Sequence, residues 1–451
     1  MIARAASDPE PEATTERSVP LEIAEAEFAT SAEPGAGAGS GTSTTCVFPP
    51  RKTTCFTPLR VSGAKVGDPG RLYPPPMAKR RRKVLSVVGT RPNMMKIAPI
   101  AAELQRRGDE FEHVVVHTGQ HYDPEMSEIF LEELGVGDPD YSLGVGSGSH
   151  AQQTARVMER LEPVLLEAEP DIVLVPGDVN STMAAALTAS KLLLPLGHVE
   201  AGLRSFDRTM PEEINRIVAD QVSQLLFIHS PEARDNLFAE GCAESAIHDV
   251  GNTMIDSLVA MRERIEARRA PEDYVLERGS YLVVTLHRPS LVDGPLLGEA
   301  MAQLAAVSEA LPVVFPVHPR TRAALETLGI ETDRERLHLL EPVGYVEFMS
   351  LVAGSAGVLT DSGGIQEETT FLGLPCFTLR STTERPITVS MGTNVLLGLA
   401  PERIAEVPAL IEAAREREAG IPPLWDGKAS ERIVDVLARF PLEEPAVTPV
   451  K

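Results

Sequence analysis

From residue 83 onward the chain alternates short apolar runs with helical stretches, and this pattern starts twice. Short apolar runs bounded by turn residues are typical of strands buried in parallel sheets. The first series of predicted strands is 84–88, 113–117, 171–176, 195–199, 224–229 and 246–250, and the second is 281–286, 312–317, 337–341, 356–360 and 375–379. The alternation predicts an α/β fold built from two doubly wound domains that meet near Gly251.

The chain length fits this division, because 451 residues are too many for one hydrophobic core. Residues 1–76 are predicted to be a disordered N-terminal extension, since Ala, Glu, Pro, Gly, Ser and Thr dominate them without an amphipathic period. Met77, just before the first strand, is predicted as an alternative start. The two domains are predicted at 77–250 and 251–425, and residues 426–451 hold a final helix, from Lys428 to Phe440, and a tail.

Charge and cysteine content restrict the partners and the compartment. The net charge of −23 disfavours nucleic acid and anionic membranes as partners. The four cysteines are scattered without metal-ligand spacing, which suggests no disulfide scaffold and fits a reducing cytoplasm. No apolar run reaches membrane-spanning length. An anionic ligand would therefore need a local basic pocket.

The segment Asp361–Glu368 is the strongest candidate for such a pocket. A short apolar strand ends just before it, and a helical pattern follows it, so Ser362, Gly363 and Gly364 form the turn onto a helix N-terminus. There the unpaired N–H groups and the helix dipole favour phosphate. Glu368 follows where it can accept hydrogen bonds from sugar hydroxyls. The alternative reading is an ordinary turn capped by Ser362.

Cationic side chains follow several of the predicted strands. These are Arg91 and Lys96 after 84–88, His287 and Arg288 after 281–286, His318 and Arg320 after 312–317, and Arg385 after 375–379. Because ligands in such sheets lie beyond the carboxyl ends of the strands, we expect His287, Arg288 and Arg385 to converge on the Ser362 turn. No Gly-x-Gly-x-x-Gly turn follows any strand, so a dinucleotide cofactor is not predicted.

Carboxylates follow the same rule in the first domain. Asp178 follows strand 171–176, Glu200 follows strand 195–199, and Glu212 and Glu213 open a helix. For Glu213 we favour a helix-capping role. Crowding Asp178, Glu200 and Glu212 into one cleft is expected to raise the pKa of at least one of them and so to separate acid from base roles.

With these residues assembled, the chain from Lys83 to about Phe440 resembles the non-hydrolysing UDP-N-acetylglucosamine 2-epimerases. The matching segments are Gly89–Pro92, Gln120–His121, Gly177–Asp178, His198–Arg204, Pro211–Glu213, Gly251–Thr253, His287–Arg288, Asp361–Glu368 and Thr383–Pro386. The resemblance implies the B-type glycosyltransferase fold, in which two Rossmann-like domains face a cleft. It also implies that the final helix crosses back to the first domain and that the protein is a homodimer.

The resemblance further implies roles for individual residues. Ser362, Gly363 and Gly364 would bind phosphate and Glu368 the ribose, with Arg385 and Phe348 along the nucleotide. Arg91, Lys96, Arg288 and His287 would meet the diphosphate, and His287 is counted with the catalytic residues. Asp178, Glu200 and Glu212 would carry the proton chemistry at C2 of the sugar.

The implied reaction is loss of UDP from C1 together with the C2 proton, followed by re-addition on the opposite face. It needs no metal or nicotinamide cofactor and would supply UDP-N-acetylmannosamine for surface polysaccharides. Four alternatives stay open: a hydrolysing 2-epimerase, a related UDP-diacetamido-sugar 2-epimerase, a glycosyltransferase of the same fold, and a nucleotide-sugar-binding regulator without turnover.

We predict that deleting residues 1–76 leaves folding and activity essentially intact, because their composition cannot support a packed core. Thermal unfolding and turnover of the truncated protein, compared with the full chain, test this. An insoluble product, or a markedly lower thermal midpoint, would mean that the extension packs on the domains.

Overall fold

The computed structural model describes residues 80–119, 137–329, 336–415 and 419–441. Within these residues the chain forms two parallel sheets covered by helices, so the predicted fold class is confirmed. The predicted extension 1–76 and the motif residues Gln120 and His121 lie outside the described residues. No helix in the described ranges is both long and apolar enough to cross a membrane.

The first sheet has seven parallel strands in the order β3-β2-β1-β4-β5-β6-β7. Its elements are β1 (Arg82–Val88), α1 (Arg91–Arg106), β2 (Phe111–His117), β3 (Tyr141–Ser142), α2 (His150–Ala168), β4 (Ile172–Pro176), α3 (Asn180–Lys191), β5 (Leu196–Val199), α4 (Pro211–Val222), β6 (Leu225–Ile228), α5 (Pro231–Ala239) and β7 (Ile247–Asp249). A single turn of 3₁₀ helix, Glu244–Ala246, precedes β7.

The second sheet has six parallel strands in the order β10-β9-β8-β11-β12-β13. Its elements are α6 (Thr253–Arg268), α7 (Ala270–Asp273), β8 (Leu282–Thr285), α8 (Pro289–Val292), α9 (Leu296–Ser308), β9 (Val313–Pro316), α10 (Pro319–Leu328), β10 (Leu337–Leu340), α11 (Tyr345–Gly354), β11 (Gly357–Thr360), α12 (Gly364–Leu372), β12 (Cys376–Thr378), α13 (Ile387–Ser390) and β13 (Asn394–Leu396). The 3₁₀ helix Pro401–Glu406, α14 (Val407–Ala414) and α15 (Ala429–Arg439) follow.

The strand order reverses once in each sheet, and these reversals determine where a ligand can bind. In the first sheet the order reverses between β1 and β4, and in the second between β8 and β11. Connections leave the two strands in opposite directions at such a point, which opens a crevice at their carboxyl ends. Arg91, Asp178, His287 and Ser362 each follow one of these four strands.

Two strands were not predicted from the sequence, and both lie at a sheet edge. β3 is only Tyr141–Ser142, and β13 is only Asn394–Leu396. Short edge strands are half covered and lack the continuous apolar run that marks a buried parallel strand. Every predicted strand, in contrast, has a counterpart in the sheets to within two residues at each end.

The last helix, α15, returns to the first half of the chain. Its Ile433, Val434 and Leu437 are fully buried, in a core cluster that also contains residues of α1 and α6. Asp256 of α6 accepts the N–H groups of Ala429 and Ser430 at 3.0 and 2.7 Å and so caps the start of the helix. This cluster contains residues of both sheets. The domain limits predicted at residues 76, 250 and 425 stay a prediction.

The two connections between the halves touch at Gly251. This glycine lies between β7 and α6 and has a φ of +87°, a conformation that residues with a Cβ rarely adopt. A Cβ there would lie 2.1 Å from the carbonyl oxygen of Leu424, on the segment that leads into α15. Only glycine lets the two connections pass so closely.

We predict that Gly251→Ala destabilises the fold by about 2–5 kcal/mol, the sum of left-handed strain and overpacking. Gly241→Ala is the matched control, because Gly241 has a φ of +84° but nothing within 4 Å of its Cβ position. It should cost only about 1–2 kcal/mol, the strain alone. Denaturant unfolding measures both, and equal losses would mean that the crossing tolerates a side chain.

Candidate active site

A cavity of about 470 Å³ lies between the carboxyl ends of the two sheets. All the predicted site residues except Glu200 line it: Arg91, Lys96, Asp178, Glu212, His287, Arg288, Phe348, Ser362, Gly363, Gly364, Glu368 and Arg385. Both halves of the chain contribute to its wall. The strand-end argument therefore brought these side chains together, while their individual roles stay predictions.

The Ser362 turn forms the anion-binding part of the wall. Helix α12 begins at Gly364 without a side-chain cap, so its first N–H groups are available to a ligand. Gly363 is needed because a Cβ at this position would lie 2.5 Å from a guanidinium nitrogen of Arg385. Because Gly363 has no side chain, the guanidinium of Arg385 can lie close to the turn.

Asp361 fixes the neighbouring cations. One of its oxygens accepts the N–H groups of His287 and Arg288 at 2.8 and 2.7 Å, and the other lies 3.0 Å from Nδ1 of His287. Burial would raise the pKa of Asp361, but the hydrogen bonds and charge of His287 and the Arg288 N–H lower it. The ionised carboxylate therefore holds both residues of the His–Arg pair at the cavity.

Glu368 lies on α12 and is buried. Burial raises its pKa to about 7, although the hydroxyl of Tyr345, which donates to it at 2.7 Å, acts in the opposite direction. Tyr345 and Phe348 come from the same face of α11 and also line the cavity. This combination of an aromatic wall and a carboxylate suits a nucleoside with free hydroxyls.

Glu200 lies behind the wall rather than on it. It is only 8% exposed, and its two oxygens contact Lys96 and Arg385, the latter at 2.8 Å. Burial would raise the pKa of Glu200, but these two cations lower it to about 2. At Glu200 the expected raised pKa is therefore wrong, because cations separate this carboxylate from the other acids.

Arg385 is the centre of a buried charge network. Each of its three guanidinium nitrogens faces a different carboxylate: Nε lies 2.9 Å from Glu367, and the other two lie 2.8 Å from Glu384 and Glu200. Glu384 in turn has Arg380 at 2.8 Å and Arg288 and Arg216 at 3.8 and 3.9 Å. Burial would raise the pKa of Glu384, but these arginines hold it far below its usual value.

The other two candidate acids lie on the cavity wall. Asp178 accepts two hydrogen bonds from Arg216, at 3.1 and 2.8 Å, and keeps part of its carboxylate exposed. Glu212 is in the first turn of α4. Glu213 has a structural role, but the predicted helix capping is wrong, because α4 has no side-chain cap. Its buried carboxylate instead accepts the N–H groups of Ser205 and Phe206 in the preceding loop and pairs with Arg216.

Sequence reasoning missed part of this network. Arg320, which also follows a strand, does not line the cavity but pairs with Asp293. His229 was missed, although it follows β6 and the strand-end rule could have found it. Arg380 was also missed, although it follows β12, and Glu367 was missed within the Asp361–Glu368 segment. Arg216 carries no local signal, because it lies inside α4 and gains its partners only through packing.

Three buried residues could in principle hold a metal ion. Ligand atoms of Glu200, His229 and Glu367 lie within 4.8 Å of one another. Both carboxylates, however, already face Arg385, and Glu200 also faces Lys96. A divalent cation would have to displace these charges, so the donor set fits a metal poorly.

The geometry suits the departure of an anionic group coupled to a proton transfer. Arg91, Lys96, Arg288 and the N-terminus of α12 can hold a diphosphate and stabilise it as it leaves. Asp178 and Glu212 lie on the same cavity and can exchange a proton with a neighbouring carbon.

Comparison with known proteins agrees with this geometry. A family model described as UDP-N-acetylglucosamine 2-epimerase matches residues 102–438. A UDP-N-acetylglucosamine 2-epimerase of Methanococcus maripaludis is 39% identical over 365 residues, covering 79% of this chain and 98% of the relative. A UDP-2,3-diacetamido-2,3-dideoxy-D-glucuronate 2-epimerase of Pseudomonas aeruginosa is 41% identical over 368 residues, covering 79% of this chain and all of the relative (100%).

A solved structure is similar over the same region. The UDP-GlcNAc 2-epimerase of Methanocaldococcus jannaschii, in complex with UDP-GlcNAc and UDP, aligns with a TM-score of 0.71 and 38% identity. The alignment covers 79% of this chain and 99% of that one. The family model, the relatives and the solved structure all give the same assignment. The chain belongs to the UDP-N-acetylglucosamine 2-epimerase family.

Proposed function

We propose that this protein is a non-hydrolysing epimerase that interconverts UDP-N-acetylglucosamine and UDP-N-acetylmannosamine by inversion at C2. One observation carries the proposal: the cavity combines the uncapped N-terminus of α12 with two carboxylates, Asp178 and Glu212, from the other half of the chain. An anion site for UDP and acids for the C2 proton are the two requirements of the reaction.

The proposed reaction has two steps. In the first, the C1–O bond breaks, UDP leaves with the electron pair, and a carboxylate takes the proton from C2, which leaves an unsaturated sugar. In the second, UDP returns to C1 while a proton is delivered to the opposite face of C2. The cations around the diphosphate stabilise the leaving group, and the enclosed cavity protects the intermediate from water.

In this proposal the proton transfers at C2 are shared by three carboxylates, Asp178, Glu200 and Glu212. Asp178 and Glu212 face the cavity, whereas Glu200 can accept a proton only after releasing Lys96 or Arg385. A ligand diphosphate that attracts either cation would release Glu200. The nucleotide contacts proposed for His287, Phe348, Ser362, Gly363, Gly364 and Glu368 follow from the same cavity.

The choice of substrate rests on the relatives. The Methanococcus maripaludis relative is a UDP-N-acetylglucosamine 2-epimerase, and the Methanocaldococcus jannaschii structure holds UDP-GlcNAc and UDP. The 41% identity to the diacetamido-glucuronate epimerase favours a second candidate, inversion at C2 of a UDP-diacetamido sugar. We further propose a cytoplasmic homodimer that supplies precursors of surface polysaccharides.

Incubation with UDP-N-acetylglucosamine, followed by NMR of the products, tests the function. We expect UDP-N-acetylmannosamine in equilibrium with substrate, and Asp178→Asn, Glu200→Gln and Glu212→Gln should each lower turnover by about two or more orders of magnitude while UDP binding is largely kept. Asp249→Asn is the matched control, because Asp249 also ends a strand but pairs with Arg234 outside the cavity.

Three outcomes contradict parts of this proposal. Free N-acetylmannosamine with UDP as the product would assign a hydrolysing enzyme. Conversion only of a UDP-diacetamido sugar would assign the second candidate. Near-normal turnover in all three acid variants would remove these carboxylates from the mechanism.

The raised pKa of Glu368 predicts a pH-dependent affinity for UDP. Only the ionised carboxylate accepts two ribose hydrogen bonds, so with a pKa of about 7 the affinity should fall about tenfold from pH 8 to pH 6 by linkage. Calorimetric titration of wild type and Glu368→Gln measures this. The variant should lose this part of the pH dependence, while titration of the UDP phosphate affects both proteins alike.

The same shift predicts how Glu368 affects stability. The folded-state pKa lies above the ordinary value of 4.5, so the stability of the wild type relative to Glu368→Gln should fall as the pH rises from about 4.5 to 7.

Glu347→Gln is the control for UDP affinity, because Glu347 accepts from Tyr274 at 3.1 Å but lies outside the cavity. An identical pH dependence of UDP affinity in wild type and Glu368→Gln would contradict the assignment of Glu368.

A further inference from the structure

Glu367 is a fully buried carboxylate. Within the described part of the chain, neither of its oxygens makes a hydrogen bond. The side chains that face it are Arg385, with Nε at 2.9 Å, and His229, with Nε2 at 3.3 Å. A buried carboxylate is strongly destabilising without partners, so these two side chains determine where Glu367 lies.

His229 is held in place from outside the cavity. It follows β6 in the first half of the chain and is 5% exposed. Trp425, just before α15, packs edge-on against its ring with centroids 5.9 Å apart, and the indole N–H donates to the His229 carbonyl at 2.9 Å. Neither ring nitrogen has a hydrogen-bond partner in the described part of the chain, so Nε2 is free to serve Glu367.

The consequence reaches the cavity through Arg385. Glu367 is one of the three carboxylates that orient this guanidinium, and it is the one that faces Nε. If Glu367 moved, Arg385 would retain its ion pairs with only Glu200 and Glu384, both on its terminal nitrogens. It could then rotate away from the Ser362 turn. His229 does not line the cavity, although one of its ring nitrogens also lies within 4.8 Å of a Glu200 oxygen. It nevertheless limits this movement.

We propose that His229 is a positioning residue of this enzyme: by holding Glu367, it keeps Arg385 at the place where the ligand diphosphate binds. The inference rests on the proposed function, since it assumes that Arg385 meets a UDP-sugar. A metal ion at the same cluster is the weaker reading, because Lys96 and Arg385 already neutralise Glu200 and Glu367.

Four variants test the proposal: His229→Ala, His229→Gln, Glu367→Gln and the double variant His229→Ala/Glu367→Gln. Titration with UDP and steady-state kinetics should show the Kd of UDP and the KM raised about tenfold in His229→Ala, a size common for contacting charged groups. His229→Gln should restore most of the affinity, because its amide N–H can donate to Glu367. The double variant should be no worse than Glu367→Gln alone.

Two controls separate positioning from folding. His248→Ala removes another histidine, one strand away on β7, which packs on Phe227 and also has an unpartnered Nε2; its UDP affinity should stay within about twofold of wild type. Thermal unfolding of His229→Gln is the second control, and a midpoint close to that of wild type reports an intact fold.

The possible failures are distinguishable. If wild type binds UDP and His229→Ala binds it equally well, this inference is overturned and the proposed function stands. Additive losses from His229→Ala and Glu367→Gln also overturn it, because the two side chains would then act independently. Wild type that neither binds UDP nor converts a UDP-sugar overturns the proposed function, and this inference with it.

Discussion

The buried guanidinium of Arg385 is the interaction on which the rest of the site depends. It pairs with Glu200 from the first half of the chain and with Glu367 and Glu384 from the second. Charges are costly to bury and are tolerated only when they are paired. The presence of three carboxylates around one arginine therefore requires the neighbouring cations Lys96 and Arg380.

This network has a consequence for ligand binding. The carboxylates of the protein occupy the positions around Arg385 that an anion would otherwise take. A diphosphate that enters the cavity has to compete with these carboxylates for the cations. If it binds one of the cations that pair with Glu200, it releases Glu200 from that cation. Binding of the leaving group and preparation of an acid–base residue are thus coupled through the same arginine in the proposed mechanism.

Much of the fold was predictable because buried parallel strands leave a strong signal in the sequence. The run that became β4 is apolar throughout and the run that became β11 is apolar up to Thr360, and their carboxyl ends identified Asp178 and Ser362. The edge strands β3 and β13 were not predicted, since half-covered strands need no continuous apolar run. The cavity followed from strand ends alone because both sheets reverse their order at the strands that precede the site.

What could not be predicted depends on how the two halves pack. The sequence suggested that Glu200 would crowd the other acids, but Lys96 and Arg385 surround it and lower its pKa to about 2. His229 and Glu367 lie far apart in the chain, and although the strand-end rule could have found His229, no feature of the sequence indicates that these two side chains meet. Residue types at strand ends predict which side chains meet, whereas the protonation state of each depends on neighbours from the other half.

The central claim is that C2 inverts by elimination and re-addition of UDP. The most direct measurement is NMR of the product formed in deuterated water without added NAD, from substrate carrying an oxygen label in the C1–O–P bridge. The account predicts deuterium at C2 and scrambling of the label into the non-bridging β-phosphate oxygens, because the C2–H and C1–O bonds both break. Epimerisation with neither deuterium nor scrambling, or a strict requirement for NAD, would contradict it.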